Sequence, residues 1–374
     1  MISPLTIGIP VKNEENTISS TLKALDRAIR YLDKRVPIET IVCLNGTTDN
    51  TQAIIESYKN RALCKRLNLT IVRSRAGKLL AERKIAHVRK LHGFILYCDA
   101  DTIIEKQAVK ELYTSMCKND NLRVACAKVL PIFNKHLNNF QKIMKAYYEM
   151  RYLLPVRGCF HGRMFIVRDA NDILEQYDIA ARIKKVPQTI VKKLYLDKGP
   201  ICDDIVLSAA IVHKYGQHAI QRVHTAKVYF YPPANQYDFF LGVRRYTIEM
   251  QRINTLFPEF VSINNSKPFE RPVKIVKWTM FKRKKHLAET LMEFEYFLSN
   301  LIKMYELETN NLELWETVKS SKPQGNKPRG SSLNIRVASK NISVASGINK
   351  KIESKAGKPV TSGRNAKSLK KITK

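Results

Sequence analysis

The sequence predicts an α/β fold in which helices flank a mostly parallel sheet. Through the first 120 residues, short apolar runs alternate with amphipathic stretches at helical spacing, and this strand, helix, strand order is typical of parallel sheets. Apolar residue types make up 44% of the 374 residues, enough for a sizeable core and too much for a wholly disordered chain. Charged residues interrupt every apolar run before the roughly 20 residues that a membrane-spanning helix needs.

Four short apolar runs in the first half are predicted strands, and each is followed by a predicted helix. The first helix extends to about residue 31, and the others begin near residues 49, 77 and 105. The strands are Leu5–Val11, Ile38–Leu44, Leu69–Val72 and Phe94–Cys98. Parallel sheets bind ligands beyond the carboxyl ends of their strands, so the polar residues after these strands are expected to meet in one crevice.

The second half is mixed, then helical and finally polar. Strands are predicted at 122–130 and 226–231, with a glycine-bounded segment at 158–168 between them. Residues 236–317 are predicted to form a helical extension, in which the apolar spacing of 287–307 indicates a helix that faces the core. Residues 318–374 lack aromatic residues and are rich in Ser, Lys, Gly and Asn. We expect a disordered basic tail there, because this composition cannot offset the entropy lost on ordering.

The formal net charge is +32, and residues 319–374 contribute 15 basic residues against one acidic residue. This tail is either a solubilising appendage or an electrostatic tether to anionic lipid or nucleic acid. The preceding residues also contain basic clusters, which are either solvated surface charge or a contact with an anionic membrane surface. These clusters are Arg182, Lys184, Lys185, Lys192 and Lys193, and Lys282, Arg283, Lys284 and Lys285.

The charged start at Lys12 and Glu14 is unlike a secretory signal, so a cytoplasmic location is expected, peripheral at the inner face of the membrane if lipid is bound.

Two acidic pairs lie at positions suited to chemistry. Asp99 and Asp101 directly follow a predicted strand, where one carboxylate can bind a hard cation, Mn²⁺ or Mg²⁺, and the other a sugar hydroxyl. Surface turns also produce this pattern. Asp203 and Asp204 precede an apolar helix, where a carboxylate can act as a general base or cap the helix. Both roles hold at once if Asp203 caps the helix and Asp204 points into the crevice.

Five motifs in order carry a resemblance to a known family. They are IPVKNEENTI, LNGTTDNT, GKLLAERKIA, DAD and DDIVLS, within about residues 4–250. As an ordered set they resemble family 2 of the inverting nucleotide-sugar glycosyltransferases, which have the Rossmann-like GT-A fold. The resemblance implies a GT-A domain over residues 1–235, with a nucleotide-binding half at about 1–120 and an acceptor half at about 121–235.

The same resemblance implies roles for individual residues. Asp204 would be the catalytic base, and Asp101 and His161 would hold the Mn²⁺ or Mg²⁺ ion. Leu44 and Asn45 stand where the family often has two acids, and Arg83 stands where it often has Asn. The residues expected to contact the nucleotide-sugar are Pro10, Asn13, Glu14, Asn45, Lys78, Arg83, Asp99, Asp203 and Arg245.

These roles imply a metal-dependent hexosyltransferase. It would move a sugar, from a UDP-sugar in the favoured case, to the hydroxyl of a saccharide or lipid-linked acceptor in cell-surface glycan or lipid-linked saccharide synthesis. Two other classes stay open. A basic nucleic-acid-binding protein would not need acidic pairs that repel phosphate, whereas a noncatalytic nucleotide-sugar-binding module fits the departures at Leu44 and Asn45.

Overall fold

A computed structural model of the chain contains one eight-stranded sheet with helices on both faces. It describes residues 2–61, 66–133, 136–151, 160–168, 170, 173–174, 177–197, 201–264, 294–295 and 297–302. The chain divides into two units after Gln324, and every described residue belongs to the first. The predicted tail at 318–374 and the basic cluster at 282–285 lie outside the described residues.

The sheet is parallel at one end and mixed at the other. Its strands are β1 Leu5–Val11, β2 Ile38–Asn45, β3 Leu69–Ser74, β4 Phe94–Cys98, β5 Ile103–Ile104, β6 Val124–Pro131, β7 Met164–Val167 and β8 Ile220–Phe230. They lie in the order β3-β2-β1-β4-β7-β6-β8-β5. The pairs from β3 to β4 are parallel, β7 runs antiparallel to both β4 and β6, and β8 runs parallel to β6 and antiparallel to β5.

The helices divide between the two faces of the sheet. They are α1 Ile18–Ile29, α2 Thr51–Arg61, α3 Lys78–Val88, α4 Ala108–Lys118, α5 Asn139–Arg151, α6 Ile179–Ile183, α7 Gln188–Lys193, α8 Asp203–Tyr215, α9 Gln236–Leu256 and α10 Val261–Asn264. Buried residues of α1, α2 and α4 share one apolar core with the sheet. Those of α3 and α8 share a second core on the opposite face. The predicted α/β fold class is therefore confirmed.

The local patterns locate most elements well. The predicted bounds of β1 and β4 are those observed, whereas β8 begins at Ile220, six residues before its predicted start. Within the helical extension, α9 and α10 are present, and residues 294–295 and 297–302 are helical. Ile302 is buried as predicted for a core-facing helix, but the side chains of Phe294 and Phe297 are exposed. Among the described helices, none is both long enough and apolar enough to span a membrane.

Candidate active site

The first acidic pair lies at the carboxyl end of β4, where each carboxylate has a cationic partner. Asp99 Oδ1 lies 2.6 Å from Lys78 Nζ, at the start of α3. Asp101 Oδ1 lies 2.9 Å from a guanidinium nitrogen of Arg163, which comes directly before β7. The Asp99 N–H also donates to the Arg163 carbonyl at 2.9 Å. The guanidinium of Arg163 stacks on the ring of Phe230, 4.7 Å from its centroid.

The second acidic pair begins α8 and reaches the same lysine. Asp203 Oδ2 lies 2.8 Å from Lys78 Nζ, so this ammonium group joins the two pairs. Of the two roles open to this pair, capping by Asp203 is not observed: the N-cap is Cys202, and Asp203 is the first helical residue with its carboxylate turned to Lys78. Two acids in the first turn also complement the positive end of the helix dipole.

Asp204 is fixed in place by the loop before β7. Its Oδ2 accepts a hydrogen bond from the Gly162 N–H at 3.1 Å, and its Oδ1 accepts one from the Cys202 thiol at 3.0 Å. The Ser208 hydroxyl donates to the Asp204 carbonyl and accepts from the Phe160 N–H. The Lys78 ammonium also donates to the Gly162 carbonyl at 3.2 Å. The two acidic pairs, Lys78 and this loop therefore form one connected polar network.

The charges of this network control one another's protonation. Burial alone would lower the pKa of Lys78, but Asp203, Asp99 and Glu82 raise it well above its ordinary value. Burial raises the pKa of Asp99 to about 6, with Lys78 opposing the rise and Asp101 adding to it. Burial would also lower the pKa of Arg163, yet Asp101 and Asp99 raise it. Both cations therefore remain charged at neutral pH.

Two further buried groups support the site and were not found from the sequence. Glu82, on α3, is fully buried beside Asp203. Burial and the charge of Asp203 raise its pKa well above the ordinary range. Glu249, on α9, accepts from the Cys202 N–H at 3.1 Å and pairs with the fully buried Arg252 at 2.5 Å. The sequence around Glu82 is that of an ordinary charged residue on a helix surface, and Glu249 and Arg252 have the i, i+3 spacing of an ordinary surface ion pair. Nothing in the sequence therefore marks these residues as buried.

Comparison with known proteins gives one family match. Residues 6–173 match the family model described as Glycosyl transferase family 2. This match spans 168 of the 374 residues. The predicted resemblance is thereby confirmed, and no curated protein sequence matches the chain.

Solved structures similar to this chain are distant in sequence. TarS of S. aureus (residues 1–349) is 16% identical, with 81% of this chain and 89% of that chain covered and a TM-score of 0.41. Glucosyl-3-phosphoglycerate synthase of M. tuberculosis is 15% identical, with 69% and 80% covered and a TM-score of 0.42. The mannosyltransferase PcManGT of Pyrobaculum calidifontis, solved with GDP-Man and Mn²⁺, is 13% identical, with 84% and 78% covered and a TM-score of 0.46.

The amino-terminal motifs of the chain meet at the carboxyl ends of β1 and β2. Asn13 has a φ of 54°, and its Oδ1 accepts from the Thr48 N–H at 2.8 Å, which joins the two loops. The Glu14 N–H donates to the Thr51 hydroxyl at 2.8 Å. Pro10 is buried in β1 beside β2. Asn45 ends β2, and its buried Oδ1 accepts no hydrogen bond from any residue that the structure describes.

Three predicted residues lie at or beyond the border of the polar network. Arg245 is exposed on α9, near enough to Cys202 for its charge to oppose the rise in that thiol's pKa caused by burial. His161 is exposed, with its ring 6.1 Å from that of Phe230. Arg83 lines a separate depression, whose lining includes none of the acidic residues of the network.

Proposed function

We propose that this protein is a glycosyltransferase that transfers a sugar from a nucleotide-sugar to an acceptor hydroxyl by a single displacement with inversion. The observation that carries the proposal is the connected network: Lys78 lies within ion-pair distance of both Asp99 and Asp203, and Gly162 binds both Lys78 and Asp204. Acids from two distant parts of the chain thus share one site, which a surface turn or an ordinary helix cap would not require.

Asp204 is the proposed general base. Gly162 and Cys202 each donate to one of its two oxygens, so the carboxylate has a fixed orientation. An ionised carboxylate has about four lone-pair sites, which leaves capacity to accept the proton of an attacking hydroxyl. The residue is only half-buried, so an acceptor can reach it. Direct attack with this proton transfer needs no covalent enzyme intermediate.

Lys78 and Arg163 are the proposed partners of the departing nucleoside diphosphate. Both are cations held by carboxylates in fixed positions, and preorganised cations stabilise negative charge as it develops on a leaving group. The planar guanidinium of Arg163 can also donate two parallel hydrogen bonds to a phosphate. Arg245, exposed near Cys202, extends this positive surface toward solvent.

The side chains present fit a hard divalent cation at Asp101. This carboxylate lies beside the proposed diphosphate position and is 23% exposed, and carboxylate oxygen is the ligand type that Mg²⁺ and Mn²⁺ prefer. When bound, such an ion would supply Lewis-acid stabilisation of the diphosphate. Cys202, Asp203 and Asp204 also have ligand atoms within 4.8 Å of one another. Burial and the two aspartates raise the pKa of the Cys202 thiol, which disfavours the thiolate that binds metals.

A UDP-sugar is the favoured donor because of Asn45. Its buried Oδ1 accepts no hydrogen bond within the described part of the chain, and uracil offers an N–H next to a carbonyl that matches the two ends of a carboxamide. Guanine and thymine share that edge, so the donor must be tested as a panel. We further propose a saccharide or lipid-linked acceptor, a hexose as the transferred sugar, and domain limits at 1–235 and 236–317.

The deciding experiment is hydrolysis of UDP-, GDP- and dTDP-sugars by the full chain, with Mn²⁺ and with EDTA. We expect slow metal-dependent hydrolysis that Asp204→Asn lowers by about 10²-fold or more while donor binding persists, because a general base contributes on that order. Asp120→Asn is the matched control, since that carboxylate is 93% exposed. Near-normal turnover in Asp204→Asn would reject the base. Donor binding without hydrolysis would indicate a noncatalytic module, and no donor binding would favour a nucleic-acid-binding protein.

A further inference from the structure

A concave surface lies beside α3, and its lining contains none of the residues of the acidic network. It is a depression of about 340 Å³ between the end of β3 and α3. This volume is at the lower end of the range for small-molecule sites. Leu174 is buried beneath it, and basic side chains surround it. Those side chains are Arg75, Arg83, Lys84 and His87.

The described lining residues of this depression carry charge of one sign. They include three permanent cations and an imidazole, and none of them is a carboxylate. Among the described residues, none of Arg75, Arg83 and Lys84 forms an ion pair or donates a side-chain hydrogen bond. Other basic residues of the chain do pair with acids, as Arg30 at the end of α1 does with Asp26 at 2.8 Å. Like charges gathered in one concave surface repel one another and concentrate anions.

We propose that this depression binds a small soluble phosphate ester. Arginine and lysine are the residues that recognise phosphate, and the Ser74 hydroxyl in the same lining is a further polar group. The apolar floor at Leu174 and the exposed Leu80 suit the small organic part of such a ligand better than a bare inorganic anion. The ligand neutralises the repulsion among the cations, and it binds without using the acidic network.

The test is calorimetric titration of the full chain with glycerol 3-phosphate in EDTA, which removes metal-dependent binding at the acidic network. We expect saturable binding, with the Kd raised at least tenfold in the double variant Arg75→Gln/Lys84→Gln. Both side chains are exposed, so the substitutions should leave folding intact. Lys110→Gln/Lys118→Gln is the matched control, since it removes the same charge from exposed positions on α4.

Three results would overturn the proposal. Equal affinity in the two double variants would show that binding depends only on net charge. Loss of binding in Lys78→Gln, with Arg75→Gln/Lys84→Gln unaffected, would place the phosphate in the acidic network. Binding to phosphatidic acid vesicles that depends on Arg75 and Lys84, without binding of glycerol 3-phosphate, would identify a lipid headgroup in place of a soluble ester.

Discussion

Gly162 has room only for a hydrogen atom on the side that faces Asp204. A methyl group there would lie 2.8 Å from the Asp204 Cβ and 3.1 Å from its Oδ2. Asp204 is anchored near the start of α8, so Gly162→Ala must displace either the carboxylate or the loop. We expect kcat for donor hydrolysis to fall by about 10- to 100-fold, because small misplacements of a catalytic group carry costs of that order. Steady-state kinetics with intact donor affinity would check this.

Gly242 provides the matched control for that substitution. It lies within α9, and apart from the backbone of that helix no described atom lies within 4 Å of a Cβ built there. Gly242→Ala should leave turnover unchanged and raise the free energy of unfolding by up to about 1 kcal/mol, because alanine has the higher helix propensity. Equal kcat values in Gly162→Ala and Gly242→Ala would show that Gly162 does not position Asp204.

Glu82 should tolerate an amide but not truncation. It is fully buried, and its raised pKa favours the protonated carboxyl, which can donate to Asp203. The side chain of Gln has nearly the same shape and also donates, so Glu82→Gln should change the free energy of unfolding by less than about 1 kcal/mol. Glu82→Ala should cost about 2–4 kcal/mol, as for other buried large-to-small changes. Urea denaturation of both variants separates the two cases, and equal losses would refute the donor role.

Residue identities alone reveal only part of the site. Asp99, Asp101 and Asp204 stand out in the sequence because acids directly after a strand or before an apolar helix are conspicuous. The partnership of Arg163 with Asp101 is invisible there, because it joins residues 62 positions apart through a sheet order that no local pattern contains. Glu82 is hidden for a different reason: only the packing of α3 against α8 shows that this charge is buried.

At the scale of elements, a continuous apolar run predicts a buried strand well. β1 and β4 are continuous buried runs, and their bounds were predicted. β5 has only two residues and hence no measurable period. The insertion of β7 between β4 and β6 is likewise not predictable from composition, because pairing direction depends on the path of the chain. This insertion is what brings Arg163 and Gly162 to the acidic pairs.

β6 and β8 gather cations at an irregularity in their pairing. The register shifts between Ala127 and Lys128. Burial, followed by the charges of Lys128 and Arg222, lowers the pKa of His224. We expect an NMR titration to place this pKa below 6.5, and Lys128→Gln to move it upward while burial keeps part of the shift. A pKa in Lys128→Gln equal to or below that of the unsubstituted chain would contradict the charge effect.

The lowered pKa of His224 makes the stability of the fold depend on pH. His224 binds a proton less readily in the folded state than in the unfolded state. The free energy of unfolding therefore rises as pH rises through the window below 6.5 and is constant above it. His224→Asn should flatten that rise. The effect will be small, since this side chain is largely exposed and screened by solvent.

At the scale of the whole molecule, the basic residues differ in whether they are available to bind an anionic surface. Some of the basic residues singled out from the sequence are already engaged: Arg182 pairs with Glu259 at 2.6 Å and stacks on the ring of Phe257. Lys184 and Lys185 are exposed and have no such acidic partner among the described residues, so both can contact an anionic surface. The net charge can be counted from the sequence. Which basic side chains can contact a surface depends on packing and cannot be predicted from the sequence.

A membrane surface remains the partner that this available charge predicts. We expect the full chain to sediment with anionic vesicles and not with neutral ones, and the binding to weaken from 0.1 M to 1 M salt as the Debye length falls from about 10 Å to about 3 Å.

Deletion of residues 319–374 removes 15 basic residues, and at up to about 1 kcal/mol for each one near the surface it should weaken binding strongly if the tail is a tether. Donor hydrolysis should survive the deletion, because the described acidic network lies entirely before residue 253. Equal sedimentation with neutral vesicles would exclude an electrostatic tether, and unchanged binding after the deletion would assign the contact to the preceding residues.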